Sequence, residues 1–193
     1  MDVTFFRHGI AVDRADPLAP VDFERPLTLE GKNKTEAAGR GLRALGLHPS
    51  LILTSPFKRC VQTARLIAPL LGLTRKSILE REVIAPGADP RALWPEIADL
   101  GREAIIVVGH GGVIEPAAGV ALGLPTPTVD TPDVPDLAFR TLHLKKAAAL
   151  HLEVEFASGT RERGEAGASF ETDMHARLAW LVSSRILRQL GRL

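Results

Sequence analysis

Three short apolar runs without polar alternation punctuate this chain, and the stretches between them carry apolar residues at helical spacing. Val3-Thr4-Phe5-Phe6, Leu51-Ile52-Leu53-Thr54 and residues 104–108 have the composition of strands covered on both faces. Between the first two runs, Thr28 can cap a helix with Glu30 in its first turn; Ala37, Ala38, Leu42 and Leu45 follow, and Gly46 stops it. After the second run, Ser55 as cap and Pro56 at the first helical position open another helix. It carries Cys60, Ala64, Ile67, Ala68 and Leu71 and ends at Gly72. Residues 74–89 read as a looser stretch with a turn at Pro86-Gly87-Ala88-Asp89. Pro90 then opens a helix through Leu93, Trp94, Ile97 and Leu100, bent at Pro95. Residues 113–122 make a further helix closed by Gly123, and 125–135 a proline-bearing loop.

The remainder is less regular. Residues 137–144 and 149–156 read as a hairpin turning at 145–148, and 158–169 as a polar linker. Residues 170–190 read as a helix, with Met174, Leu178, Leu181 and Leu187 on one stripe and Arg177, Arg185 and Arg188 opposite. The expected fold is α/β: a three-layer sandwich, its central sheet mostly parallel with helices on both faces, plus a C-terminal hairpin and an added terminal helix. The expected domain spans 1–156, with 157–193 a linker and a C-terminal helix packed on the same domain. That helix reads as cover for its own domain's sheet edge, with a dimer contact or docking surface as the alternative.

Composition narrows the function classes. The 193 residues, 45% of them hydrophobic, suit one domain with a sizeable core. A net charge of +1 suggests neither a nucleic-acid groove nor a polybasic membrane patch, so any attraction for anions must be local. Cys60 is the single cysteine, which rules out an intrachain disulfide and suggests a reducing compartment. With no signal-like start and no apolar run of membrane-spanning length, a soluble cytoplasmic protein is expected. His48, His143, His151 and His175 have no partners at metal-ligand spacing, and no metal or other cofactor is expected.

The chemistry gathers where the three runs end. Arg7 and His8 follow the first, Arg59 the second and His110 the third. In a parallel sheet these ends open on one edge, so the four side chains can converge. Two guanidinium forks, two imidazoles and a helix amino terminus describe a site for a dianionic phosphoryl group, and a poor one for a cation. Cys60 and Arg65 are too close, and within a helix, to form a thiol-phosphatase loop. Residues 109–112 lack the lysine and hydroxyl of a nucleotide P-loop.

Arg7-His8-Gly9, Arg25-Pro26-Leu27-Thr28, Ser55-Pro56-Phe57-Lys58-Arg59-Cys60-Val61-Gln62-Thr63-Ala64 and Val108-Gly109-His110 occur in the order of the histidine phosphatase (phosphoglycerate-mutase-like) superfamily. Over about residues 1–156 the layout most resembles the SixA-type phosphohistidine phosphatases. The resemblance implies a metal-independent phosphatase with His8 as nucleophile, forming a phosphohistidine intermediate, and with Arg7, Arg59 and His110 binding the phosphoryl oxygens. Relatives acting on alcohol phosphates supply an acid between the second and third of the strand-end motifs. Here Glu82 is the nearest candidate and Asp89 the next, though Asp89 also reads as a helix cap. Arg25 reads either as a substrate-rim residue or as one half of a loop-to-helix ion pair. Gln62 and Thr63 read as structural supports.

Few residues separate Arg59 from His110 to build a lid, so the site should be shallow, which suits a phosphorylated side chain on a protein. The expected partner is therefore a phosphorylated protein, for example a histidine phosphotransfer domain. Two alternatives stay open: a phosphomonoesterase or mutase acting on a phosphorylated small molecule, and a catalytically inactive phosphate-binding module.

Overall fold

The computed structural model describes residues 1–17, 19–127, 132–156 and 174–192. In chain order its elements are β1 (Asp2–Arg7), α1 (Leu29–Ala44), β2 (Leu51–Thr54), α2 (Lys58–Ile67), β3 (Ile78–Glu80), α3 (Leu93–Asp99), β4 (Ala104–Gly109), α4 (Gly111–Ala121), α5 (Leu137–Thr141), β5 (Ala149–Phe156), β6 (Met174–Val182) and α6 (Ser184–Leu190). The strands form one sheet in the order β3-β2-β4-β1-β5-β6. The first four are parallel neighbours, while β5 runs antiparallel to β1 and β6 antiparallel to β5. This is the α/β sandwich expected from the apolar runs.

Both faces of the central strands are buried, which explains why their sequences do not alternate. On β1, Val3 and Phe5 enter one core with Trp94, Ile97 and Ile114, and Phe6 enters the other with Leu42, Ile52 and Ile67. Ile105 and Ile106 of β4 divide in the same way, as the period of two requires. Helices α3 and α4 supply the first core; α1, α2 and Leu187 of α6 supply the second. Thr28 caps α1 as expected, its hydroxyl accepting from Gly31 N at 2.9 Å.

Four local expectations are corrected. Ser55 does not cap α2: the helix starts at Lys58 with Phe57 before it, and the Ser55 hydroxyl is drawn into the site described below. The looser stretch contains β3, a three-residue strand that extends the sheet beyond β2. Residues 137–141 are helical rather than extended, because Asp136 accepts from Phe139 N at 2.8 Å and caps a short helix. The hairpin partner of β5 is instead β6, so residues 174–182, expected within a long helix, form a strand and only Ser184–Leu190 is helical. The expected linker at 158–169 lies outside the described residues.

The terminal segment is held closely. A Cβ on Gly41 of α1 would lie 2.0 Å from the Leu187 carbonyl oxygen, so α6 rests on bare α1 backbone. Among the described residues no helix is long and apolar enough to cross a membrane.

Candidate active site

The carboxyl ends of β1, β2 and β4 open on one edge of the sheet, where β1 and β4 run in register with Arg7 opposite Gly109. Arg7, His8, Arg59 and His110 line one open pocket there, of about 430 Å³. Its wall is completed by Arg14, Arg25 and Lys146, by Pro86 and Gly87, and by the start of α4 at Gly111 and Gly112. The Pro86-Gly87 turn read from the sequence thus becomes part of the site. Gly111 permits a close approach: a Cβ there would lie 2.8 Å from Arg7 Cζ.

The hydrogen bonds fix the state of each imidazole. His8 Nδ1 lies 2.7 Å from the Gly9 carbonyl oxygen, which can only accept, so Nδ1 carries the proton. In the neutral ring Nε2 then carries the unprotonated lone pair. Burial holds the proton affinity of His8 well below the usual imidazole value, and His110, Arg59 and Arg7 act in the same direction; the Gly9 carbonyl opposes them. The His110 ring lies 5.2 Å from that of His8 in edge-on geometry. Arg59 Nη2 donates to His110 Nδ1 at 3.2 Å, so His110 Nε2 carries the proton and donates to Ser55 Oγ at 2.9 Å. Burial first, then Arg59, brings the pKa of His110 down to about 3.

The arginines are positioned from several elements. Arg59 is 3% exposed; its Nη1 donates to the Asp22 carbonyl at 2.7 Å, and its guanidinium lies over the Phe57 ring. The Asp22 carboxylate gathers Arg25 at 2.7 Å, Arg14 at 3.0 Å and Arg59 at 3.3 Å. Hydrogen bonds from Arg25 and Arg14 hold its pKa at about 2, although burial acts in the opposite direction. Arg7 Nη1 donates to the Leu144 carbonyl, and Leu144 N donates to Glu115 Oε1 at 3.0 Å. Burial pushes the Glu115 carboxyl up to about 7. Among the described residues, the buried Nε atoms of Arg7 and Arg59 have no hydrogen-bond partner.

The sequence reading named Arg7, His8, Arg59 and His110, and the structure brings all four together. Arg25 answers to both of its readings, since it lines the pocket and pairs with Asp22. Glu82 does not line the pocket; it is exposed at the start of a single turn of 3-10 helix, Glu82–Ile84. Asp89 accepts from Arg91 N at 2.9 Å, a turn-forming bond ahead of α3, and pairs with the Arg91 side chain. Gln62 and Thr63 tie α2 to its surroundings, accepting from Leu27 N at 2.7 Å and from Gly9 N at 3.1 Å. Burial pushes the Cys60 thiol up to about 12, which leaves it inert.

Sequence reasoning missed Asp22, Arg14, Lys146 and the pairing of Ser55 with His110. The spacing of Asp22 and Arg25 was the one available signal; the remaining contacts join residues that meet only through the fold. Among the described residues, no group of three or more His, Cys, Asp or Glu side chains could hold a metal.

A family model described as the histidine phosphatase superfamily (branch 1) matches residues 3–81, which hold the first three motifs but not His110. An uncharacterized protein of Picosynechococcus sp. is 50% identical over 68 residues, which make up 35% of this chain and 40% of that protein's length. Among solved structures, the protein histidine phosphatase SixA complexed with tungstate is similar with a TM-score of 0.66 at 21% identity, covering 97% of this chain and 99% of that one. A phosphoserine phosphatase mutant of Entamoeba histolytica in complex with phosphoserine gives 0.62 at 13% identity, covering 96% and 98%. A mycobacterial glucosyl-3-phosphoglycerate phosphatase gives 0.60 at 16% identity, covering 94% and 99%. At these identities the structural likeness is one of fold. The first three motifs thus lie within a matching family model, and the architecture is shared with these solved structures.

Proposed function

We propose that this chain is a phosphatase working through a phosphohistidine intermediate on His8, with phosphohistidine on a protein as substrate. The observation that carries the reading is the His8–Gly9 hydrogen bond, which in the neutral ring favoured by burial leaves the Nε2 lone pair free in a pocket lined by Arg7, Arg59 and His110. Nε2 attacks phosphorus in line, a P–N bond forms to His8, and the P–N bond to the substrate imidazole breaks. The leaving imidazole takes its proton from solvent. Water then attacks the phosphoenzyme, the bond to His8 breaks, and inorganic phosphate departs with Nε2 unprotonated again. Arg7 and Arg59 hold the equatorial oxygens and offset charge in a loose transition state; His110 stands against the same oxygens.

No carboxylate lines this pocket among the described residues, and Glu82 is not at hand as a proton donor. General acid catalysis is typically worth about 100- to 10,000-fold, which an alcohol phosphate would forgo here. A phosphoramidate has the better leaving group and suits such a site. The openness of the pocket favours a side chain presented by a protein.

The test compares the wild type and His8→Ala on a phosphohistidine-bearing protein and on metabolite phosphates, with chelator present. The expected result is turnover of the phosphohistidine protein, abolished in the variant. A preference for metabolites would demote the protein substrate. No turnover of either, with phosphate still bound, would leave a binding module.

A further inference from the structure

Beside the catalytic pocket lies a second open basin of about 450 Å³, and Arg7 and Lys146 form a wall common to both. Lys34 of α1, Lys145 of the turn before β5 and Arg188 of α6 line it, and no Asp or Glu does so among the described residues. Lys34 is paired with Glu30 one helical turn away. Lys145 and Lys146 are exposed and have no carboxylate partner among the described residues. With a net charge of only +1 on the whole chain, this clustering is local. Another open cavity, lined by Asp2, Glu153, Glu155, His175 and Arg177, is mixed in charge.

The turn that carries the two lysines is fixed to the catalytic strand. Ala147 has φ of 57°, the one positive φ of a non-glycine residue among those described, and it is buried. A side chain in this left-handed region is held there only by its surroundings, and such residues gather at functional sites. Here the surroundings are the strand that leads into His8: Ala147 N donates to the Arg7 carbonyl at 3.0 Å, and Arg7 N donates to the Ala148 carbonyl at 3.1 Å. Lys145 and Lys146 are thereby set at the rim of the reacting centre.

We propose that this basin binds a second anionic group of the substrate, a carboxylate flanking the phosphorylated residue in an acidic protein segment. The inference rests on the phosphohistidine-protein reading and deepens it. Two adjoining open basins suit an extended segment, which advances about 3.3 Å per residue and can set a phosphoryl group in one and an acidic side chain two or three residues away in the other. Excess positive charge around both would also speed encounter with an acidic surface.

The test uses the full chain and the double variant Lys145→Gln/Arg188→Gln, whose positions line the basin but not the catalytic pocket. Substrates are phosphohistidine peptides flanked by Glu or by Gln, and p-nitrophenyl phosphate. At low ionic strength the wild type should show a lower KM for the Glu-flanked peptide. The double variant should raise that KM roughly three- to tenfold, the size expected for losing two exposed ion pairs. Its kcat, and both parameters for the other substrates, should stay within about twofold. Equal KM values for the two peptides in the wild type, or a uniform effect of the variant on all substrates, would overturn the basin's role while leaving the phosphatase reading intact. Turnover of p-nitrophenyl phosphate with no turnover of either peptide would overturn both. A bisphosphorylated small molecule preferred over both peptides, with the preference lost in the variant, would reassign the basin to a metabolite.

Discussion

The proposed attack by His8 requires an unprotonated Nε2, and the surroundings of the ring favour that state. Burial, then His110, then the arginines lower its proton affinity well below the ordinary imidazole value of 6.5. Protonation would remove the proposed nucleophile, and a lowered pKa moves that loss to more acid pH. The acid limb of kcat/KM, corrected for the substrate's own ionisation, should therefore fall below pH 6.5. A limb at or above 6.5 that moves in variants near His8 would contradict the neutral imidazole. At this scale the four central residues were legible because each follows an apolar run, and strand ends in a parallel sheet share an edge. Asp22 was legible only as a spacing partner of Arg25. Its link to Arg59 at 3.3 Å depends on how the 10–26 loop folds back, which an isolated Ala11–Leu27 bridge and the Thr28 N bond to the Ile10 carbonyl bring about.

Among the elements, α1, β1, β2 and β4 carry local signals that were read correctly, and β6, specified by a distant partner, was not. The cap at Thr28 and the apolar runs of β1, β2 and β4 speak for themselves. Residues 174–182 carry apolar positions compatible with a helical stripe, yet they pair along β5, with Arg177 opposite Glu153 in the register. The unfilled edge of β5 decides the outcome, and no residue within 174–182 encodes that edge. Residues 137–144 failed differently: a short apolar run fits either element, and the Asp136 cap, which was available, settles it. The seat of α6 on α1 yields a prediction. Gly41→Ala places a methyl against the Leu187 carbonyl backbone at 2.0 Å, which cannot give way as a flexible side chain would. The variant should lose about 1–3 kcal/mol, the range for overpacking, measured by urea unfolding. Undiminished stability would show that α6 shifts at no cost.

In the whole molecule, the packing of the described residues runs across residue 156. β5 has β1 on one side and β6 on the other, and Leu187 of α6 is fully buried in the core shared with Leu42, Ile52 and Ile67. Trp180 and Val182 pack against that core, and Trp180 also stacks on His151 of β5. Burying a leucine alone is worth about 1.5–3 kcal/mol, while a domain of this kind keeps only about 5–15 kcal/mol in all. A chain ended after Phe156 would expose the Leu42 face of α1 and leave β5 as an unpaired edge open to other chains. Such a truncation should lose its cooperative thermal transition or aggregate, although it retains Arg7, His8, Arg59 and His110. Calorimetry with light scattering checks this. A cooperative transition within a few degrees of that of the full chain would make β6 and α6 an appendage, and would confine their contribution to what Arg188 adds at the rim of the basin.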